Sequence, residues 1–254
     1  MTKGVLLYCF DTDEVKYHRF LIKCVRQIKT FLKLPITVVT NSETHNFVKH
    51  LDVGFRIIEN RKGNTRYYRG KNISWHNLER VNALSHSPYD QTILMDIDYF
   101  CFSDNLLKYL DTDYDFLVHD KVLDITGKNV ILGTNESVLP IVWATVIIFR
   151  KCERTERIFA LVKHIQQNYE HYRNLYRIRH RNYRNDFAFA VALHQMNGMI
   201  PVKNFIPAPM FMLPHEYDVL DIDDSGLMFR YDKRIGYLQG IDVHLLDKEF
   251  VNGR

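Results

Sequence analysis

The stretch Thr92-Ile-Leu-Met-Asp-Ile-Asp-Tyr-Phe-Cys-Phe102, TILMDIDYFCF, decides how this chain is read. A short apolar run leads into two aspartates one residue apart, and aromatic residues follow. Such a run, bounded by charge, predicts a strand buried on both faces, as in a parallel sheet. The aspartates then stand at the carboxyl edge of that sheet, where open α/β folds bind their ligands. If the strand continues through them, its side-chain period of two puts Asp96 and Asp98 on one face, roughly 6 to 7 Å apart. Two like charges that close in a partly dry place repel. Either one is protonated, a basic side chain intervenes, or a hard divalent cation sits between them and a ligand's oxygens. The spacing alone decides nothing, because Asp11/Asp13, Asp111/Asp113, Asp113/Asp115 and Asp221/Asp223 repeat it, and most such pairs are turn or surface residues. The apolar strand before Asp96 and the aromatics after Asp98 set this pair apart.

Strand and helix signals alternate around it. Val5 to Phe10 predicts a buried strand, and Tyr17, Phe20, Leu21, Cys24, Val25, Ile28 and Leu32 recur at helical spacing behind it. Pro35 opens a second buried strand, ITVVT, and a third signal starts at Phe55. A short helix is expected around Leu78, Val81 and Leu84, and another from Asn105 to Leu110 with Ser103 as its cap. DFLVH and ATVIIF predict two more strands, and Ile158, Leu161, Val162, Ile165 and Tyr169 a further helix. The tail beyond Gly198 carries Pro201, Pro207, Pro209 and Pro214, a pattern expected of a loop folded across a site. The whole is an α/β chain with a mixed, mostly parallel, Rossmann-like sheet flanked by helices.

With 254 residues, 46% hydrophobic, the chain can bury one substantial core, and no repeat, low-complexity tract or linker announces a second domain. The opening residues lack the pattern of a cleavable signal, so secretion is not expected. The longest apolar stretch, from Ile141 to Phe149 and interrupted by Thr145, falls far short of the roughly 20 residues of a spanning helix. No membrane partner is expected. Cys9, Cys24, Cys101 and Cys152 form no C-x-x-C pair, which fits reduced thiols in a cytoplasm.

The segment LERVNALSHSPYDQTILMDIDYFCFSDNL resembles the GT-A glycosyltransferases of the group containing glycogenin and the bacterial lipooligosaccharide galactosyltransferases, in its order of Arg, Pro, Tyr-Asp, strand, D-x-D, aromatic pair and Ser-Asp-Asn-Leu. The resemblance implies a GT-A fold in a single domain and transfer of a sugar from a nucleotide-sugar donor, with a manganese or magnesium ion held against the diphosphate by Asp96 and Asp98. It sets Arg80 beside the diphosphate; an exposed helix position is the plainer alternative. NDFAFAVALH, from Asn185 to His194, is similar to the segment that opens a helix with an acidic residue near the transferred sugar, here Asp186, which would deprotonate the acceptor or orient the sugar; complementing the helix dipole is the alternative. DVHLLDK, from Asp242 to Lys248, is similar to a late motif in which a histidine, His244, completes the metal site and a lysine, Lys248, contacts phosphate. Its lack of a glycine and its shorter spacing depart from the usual form. The resemblance further implies a UDP-sugar, with retention of configuration. Residues 1–102 would then be the nucleotide-binding half, 103–240 the acceptor side, and 241–254 a tail closing the metal site. Tyr8, Phe10 and Tyr17 would stack on the base or, equally, pack in the core.

The most unusual composition lies at YEHYRNLYRIRHRNYRNDF, where Arg173, Arg177, Arg179, Arg181 and Arg184 alternate with Tyr172, Tyr176 and Tyr183 just before Asp186. Arginines contact phosphates and tyrosines offer stacking faces, a mixture that suits a nucleic acid. A second basic stretch runs from Asn60 to Lys71. This chemistry points to DNA, and the chain is similar in kind to bacteriophage DNA glycosyltransferases acting in the host cytoplasm, a resemblance that implies 5-hydroxymethylcytosine as the acceptor. A glycan, lipid or protein hydroxyl is the alternative acceptor. A nucleotidyltransferase fits less well, since FDTDEVKYHRF has no glycine for a phosphate loop. A nucleic-acid binding module with a dead site is the remaining reading.

Overall fold

Residues 91–95 form the expected strand, and its neighbours on both sides explain why every one of them is buried. The computed structural model describes residues 1–59, 65–68, 71–74, 77–130, 139, 141–200, 205–248 and 250. Its first half runs β1 (Lys3–Tyr8), α1 (Tyr17–Gln27), β2 (Ile36–Thr40), α2 (Ser42–Val48), β3 (Gly54–Ile57), β4 (Thr65–Tyr68), β5 (Lys71–Ser74), α3 (Ala83–His86), β6 (Gln91–Met95) and β7 (Tyr99–Phe100). There follow β8 (Phe116–His119), β9 (Val122–Asp124), β10 (Trp143–Arg150), α4 (Glu153–Gln167), α5 (Tyr169–Leu175) and α6 (Asn185–Met196). The last part is β11 (Met210–Leu213), β12 (Asp218–Ile222), β13 (Gly226–Tyr231), β14 (Arg234–Gln239) and β15 (Val243–Leu245). Apart from the backbones of β4 and β5, the basic stretch from Asn60 to Lys71 lies outside the described residues, as does Pro201.

Six strands make the main sheet in the order β3-β2-β1-β6-β10-β8. From β3 to β6 the pairs are parallel, and β10 runs antiparallel to both β6 and β8. The carboxyl ends of β1, β2, β6 and β8 therefore share one edge with the amino end of β10.

The two-residue period sorts the core. Val5, Leu7, Cys9, Ile93 and Met95 join Phe20, Leu21 and Cys24 of α1 on one face. Leu6, Tyr8, Phe10 and Leu94 meet Ile158 and Phe159 of α4 and Phe187 and Phe189 of α6 on the other. Helix α6 is buried from Asn185 through Leu193, which explains why its sequence is apolar all round and not striped. Phe189 packs edge-on against Phe159 with ring centroids 5.6 Å apart and lies over Phe116 at 5.8 Å. Each such ring withdrawn from water contributes about 1.5–3 kcal/mol, and this packing fixes where the amino end of α6 meets the sheet edge.

Two expectations fail. From Asn105 to Leu110 only a single 3-10 turn forms, Leu107–Tyr109. Leu106, Tyr109 and Leu110 bury their apolar groups within that turn, while Ser103, the expected cap, accepts from the Asn105 N–H and donates to Asp242. The tail is framework and not a covering loop. β11 and β15 join β7 and β9 in a second sheet ordered β7-β15-β11-β9, and β12, β13 and β14 form a meander. Pro209 and Pro214 flank β11, where a missing N–H costs the ladder nothing. Among the described residues no helix is long and apolar enough to cross a membrane.

His119 makes the fold acid-sensitive. It is buried at the end of β8, and its Nδ1 lies 3.1 Å from the Ala208 carbonyl, which can only accept, so Nδ1 carries the hydrogen and the bare Nε2 has no partner. Burial lowers its pKa from 6.5 to about 4, against the Ala208 hydrogen bond. His86, hydrogen-bonded to the Tyr8 hydroxyl at 2.8 Å, is likewise lowered to about 4 by burial and then by Arg56. An unfolded chain takes up these protons near pH 6.5 and the folded one only near 4. Stability is therefore full above about 6.5 and drains away as pH falls to about 4, by on the order of 3 kcal/mol for His119. Urea denaturation at pH 7.5 and 4.5 should show that loss, and His119→Asn, which keeps a donor for Ala208, should reduce it.

Candidate functional site

Asp96, Asp98 and His244 come together at the carboxyl end of β6, each offering one ligand atom and all three atoms within 4.8 Å of one another. The aspartates do not continue the strand as the period-two reading required. Tyr99 N–H donates to the Asp96 carbonyl at 3.1 Å, closing a turn over residues 96–99, while Asp96 N–H is held by the Thr145 carbonyl at 2.9 Å. The turn lets the two carboxylates converge instead of standing in a row. Thr145 is offered by an irregularity in β10, where the register with β8 shifts between Trp143 and Ile147.

His244 arrives from 146 positions further along the chain because β15 pairs antiparallel with β7, setting His244 opposite Tyr99. Leu245 N–H donates to the Asp98 carbonyl at 2.9 Å. Asp242 fixes the entry to β15 by accepting from Phe102 N–H at 2.8 Å and from the Ser103 hydroxyl at 3.0 Å.

Each aspartate has its own cation. Arg80, only 2% exposed, pairs through Nη1 with Asp96 Oδ1, and its Nε and Nη2 find no hydrogen-bond partner. The plainer alternative of an exposed helix position is thereby excluded. Lys248 pairs with Asp98 Oδ2. Burial pushes the Asp96 pKa up, with Arg80 opposing and Asp98 adding to the rise. Burial would raise Asp98 too, but Lys248 and His244 outweigh it and hold its carboxyl well below the usual range.

The donor set suits a hard divalent cation. Asp98 Oδ1 is buried with no hydrogen-bond donor, although His244 Nε2 stands 3.2 Å away without hydrogen-bonding geometry, and His244 Nδ1 is also unpartnered. Acceptor atoms that face one another across a short gap, in a place dry enough to penalise them, fit two carboxylates and an imidazole around a metal.

Asp186 sits in the first turn of α6, 9% exposed. Its Oδ1 accepts from Ala144 N–H at 2.8 Å, and its Oδ2 accepts from Arg184 Nε at 2.9 Å and pairs with Nη2 at 2.8 Å. Ala144 belongs to the same end of β10 that holds Asp96, so one irregular strand positions both carboxylates. Nothing in the local sequence around Ala144 and Thr145 signals that role, because their backbone groups perform it.

The remaining expected residues divide. Tyr8 and Phe10 are buried in the core, with the Tyr8 hydroxyl on His86, while Tyr17 is half-buried against the other face of the sheet. On the same edge, Asp11 of the Asp11/Asp13 pair accepts from His18 N–H at 2.8 Å, and His18 stacks on Phe47 at 4.7 Å. In the arginine-rich run, Arg173 is bound to Glu170 and Arg184 to Asp186, whereas Arg177, Arg179 and Arg181 are exposed. Its tyrosines turn inward more than a stacking platform would: Tyr183 is buried with its hydroxyl on Asn185, and Tyr172 and Tyr176 pack against the core.

No protein-family model matches the sequence, and no curated protein matches it. Solved structures do match. An active-site mutant of LgtC superposes with a TM-score of 0.50 at 15% identity, over 74% of this chain and 69% of that one. Mouse xyloside xylosyltransferase 1 gives 0.47 at 10% identity, over 81% and 84%. A mannosyltransferase from Pyrobaculum calidifontis, in complex with GDP-Man and Mn2+, gives 0.43 at 14%, over 82% and 55%. At such identities the likeness is one of fold, and the mixed, mostly parallel sheet flanked by helices is the GT-A arrangement expected from the sequence.

Proposed function

We propose that this chain is a metal-dependent glycosyltransferase that takes a sugar from a nucleotide-sugar donor, a UDP-sugar, and passes it to a hydroxyl acceptor. The observation that carries this is the cluster of Asp96, Asp98 and His244 at the carboxyl edge of a GT-A sheet. Manganese or magnesium held there would supply Lewis-acid stabilisation of the charge that builds on the departing diphosphate. Arg80 pairs with Asp96, opposes the rise in pKa that burial imposes on it, and carries two further unpartnered nitrogens beside the cluster. Asp186, fixed in place by the Ala144 N–H and by Arg184, would orient the sugar or deprotonate the acceptor hydroxyl. Residues 1–102 would carry the nucleotide, 103–240 the acceptor side, and 241–254 the segment that brings His244 and Lys248 to the centre.

A thermal-shift screen tests this directly. Manganese or magnesium together with the right nucleotide sugar should raise the melting temperature, since a ligand at 100 times its Kd adds about 2.7 kcal/mol to the native state. If no UDP- or GDP-sugar does so with either metal, the function is wrong.

For hydroxymethylcytosine in phage DNA as acceptor, the support is the exposed part of the arginine run, Arg177, Arg179 and Arg181, which precede Asp186 in the sequence. Arg173 and Arg184 are engaged within the chain. Binding to duplex DNA that is absent at low salt, or that ignores salt, excludes DNA and leaves a glycan, lipid headgroup or protein hydroxyl.

A further inference from the structure

We propose that Lys248 is a built-in occupant of the metal centre: its ammonium neutralises Asp98 in the metal-free chain and must leave when a divalent cation binds, so the C-terminal segment holds metal affinity down. This rests on the metal reading above and adds a means of regulation to it.

Three neighbours cage the ammonium. It pairs with Asp98 Oδ2, donates to the Leu245 carbonyl at 2.6 Å and lies 5.6 Å from the Phe20 ring centroid. Oxygens and a π-face are what a compact ammonium seeks when partly stripped of water. The second oxygen of the same carboxylate, Oδ1, is the one left without a donor and facing His244. Because both oxygens hang on one carbon, a dication on Oδ1 and an ammonium on Oδ2 would stand only a few ångströms apart, and in a buried place such like charges repel strongly.

One of the two resident cations has to yield, and the structure distinguishes them. Arg80 is sealed into the core at 2% exposure. Lys248 lies beyond the last strand, with its side chain 26% exposed on a flexible four-carbon stem, among half-buried neighbours Leu246 and Asp247. A divalent cation at Asp98 therefore displaces the lysine. Any anion that takes up the freed ammonium favours the metal-bound state, which couples metal and anion binding.

Calorimetric titration of Mn2+ into the full chain, without nucleotide, tests this against Lys248→Met and Lys248→Arg. The methionine variant should bind Mn2+ roughly tenfold tighter, within the usual range of coupling between sites, and the arginine variant no tighter than the parent. Equal or weaker binding by Lys248→Met overturns the proposal while leaving the metal site standing. Parent and variant that both fail to bind Mn2+ overturn the metal reading and this with it. A second measurement needs no variant: acetylation of Lys248 by acetic anhydride, followed by mass spectrometry, should accelerate when Mn2+ is added. An unchanged rate, with Mn2+ bound, overturns the displacement.

Discussion

Asp98→Asn is expected to abolish the Mn2+-dependent rise in melting temperature and to lower sugar transfer by at least about 10²- to 10³-fold, the loss seen when one preorganised charge-stabilising group is removed. The side chain keeps its shape, so the effect isolates the charge. Asp98 is one of three ligand groups, and its carboxylate is held ionised by Lys248 and His244. An amide cannot be ionised, and its NH2 would meet either the ammonium or the imidazole. The backbone contribution survives, because Leu245 N–H bonds to the residue-98 carbonyl whatever the side chain is. β7 and β15 should stay paired, and the variant should melt cooperatively within a few degrees of the parent. Full turnover with an undiminished metal response would remove Asp98 from the metal site.

How far the site is legible in sequence depends on the range over which it is assembled. The buried strand at Thr92 to Met95 and the helices α1 and α4 follow from apolar spacing, because their burial is decided within each element, whereas α6, apolar all round, is readable only through resemblance. His244 is readable only through resemblance, since its partner across the ladder is Tyr99 and no local pattern records an antiparallel pairing over that distance. The geometry of Asp96 and Asp98 misleads for a related reason. Periodicity assumes that the strand continues, whereas Asp96 N–H donates to the Thr145 carbonyl and Tyr99 N–H closes a turn back onto the Asp96 carbonyl. The prolines of the tail mislead as well: they mark strand ends as readily as loops, and which one applies depends on β9 and β15 lying alongside β11. The arginine run shows the limit of composition, because a chain of alternating Arg and Tyr does not say which of them are bound to Glu170 and Asp186.

Arg80→Met is expected to damage stability and metal binding together. Removing one member of a buried ion pair strands its partner, a loss of about 3–5 kcal/mol when both are dry. Asp96 retains 23% side-chain exposure, which places the expected loss toward the lower end. A change of that size on a chain of this length lowers Tm by several degrees. Asp96 should then hold its proton more tightly, since burial already pushes its pKa up and Arg80 is the largest influence against that rise. Mn2+ must displace the proton to bind, so the variant should need a higher pH than the parent to reach the same metal occupancy. Arg80→Lys separates charge from shape: it restores a positive charge but not the planar fork, and should recover part of the stability without the two outer nitrogens. Calorimetric Mn2+ titrations at two pH values, beside thermal melts, read both effects. A methionine variant that melts with the parent and binds Mn2+ with the same pH dependence would show that Asp96 does not depend on Arg80 for its ionised state.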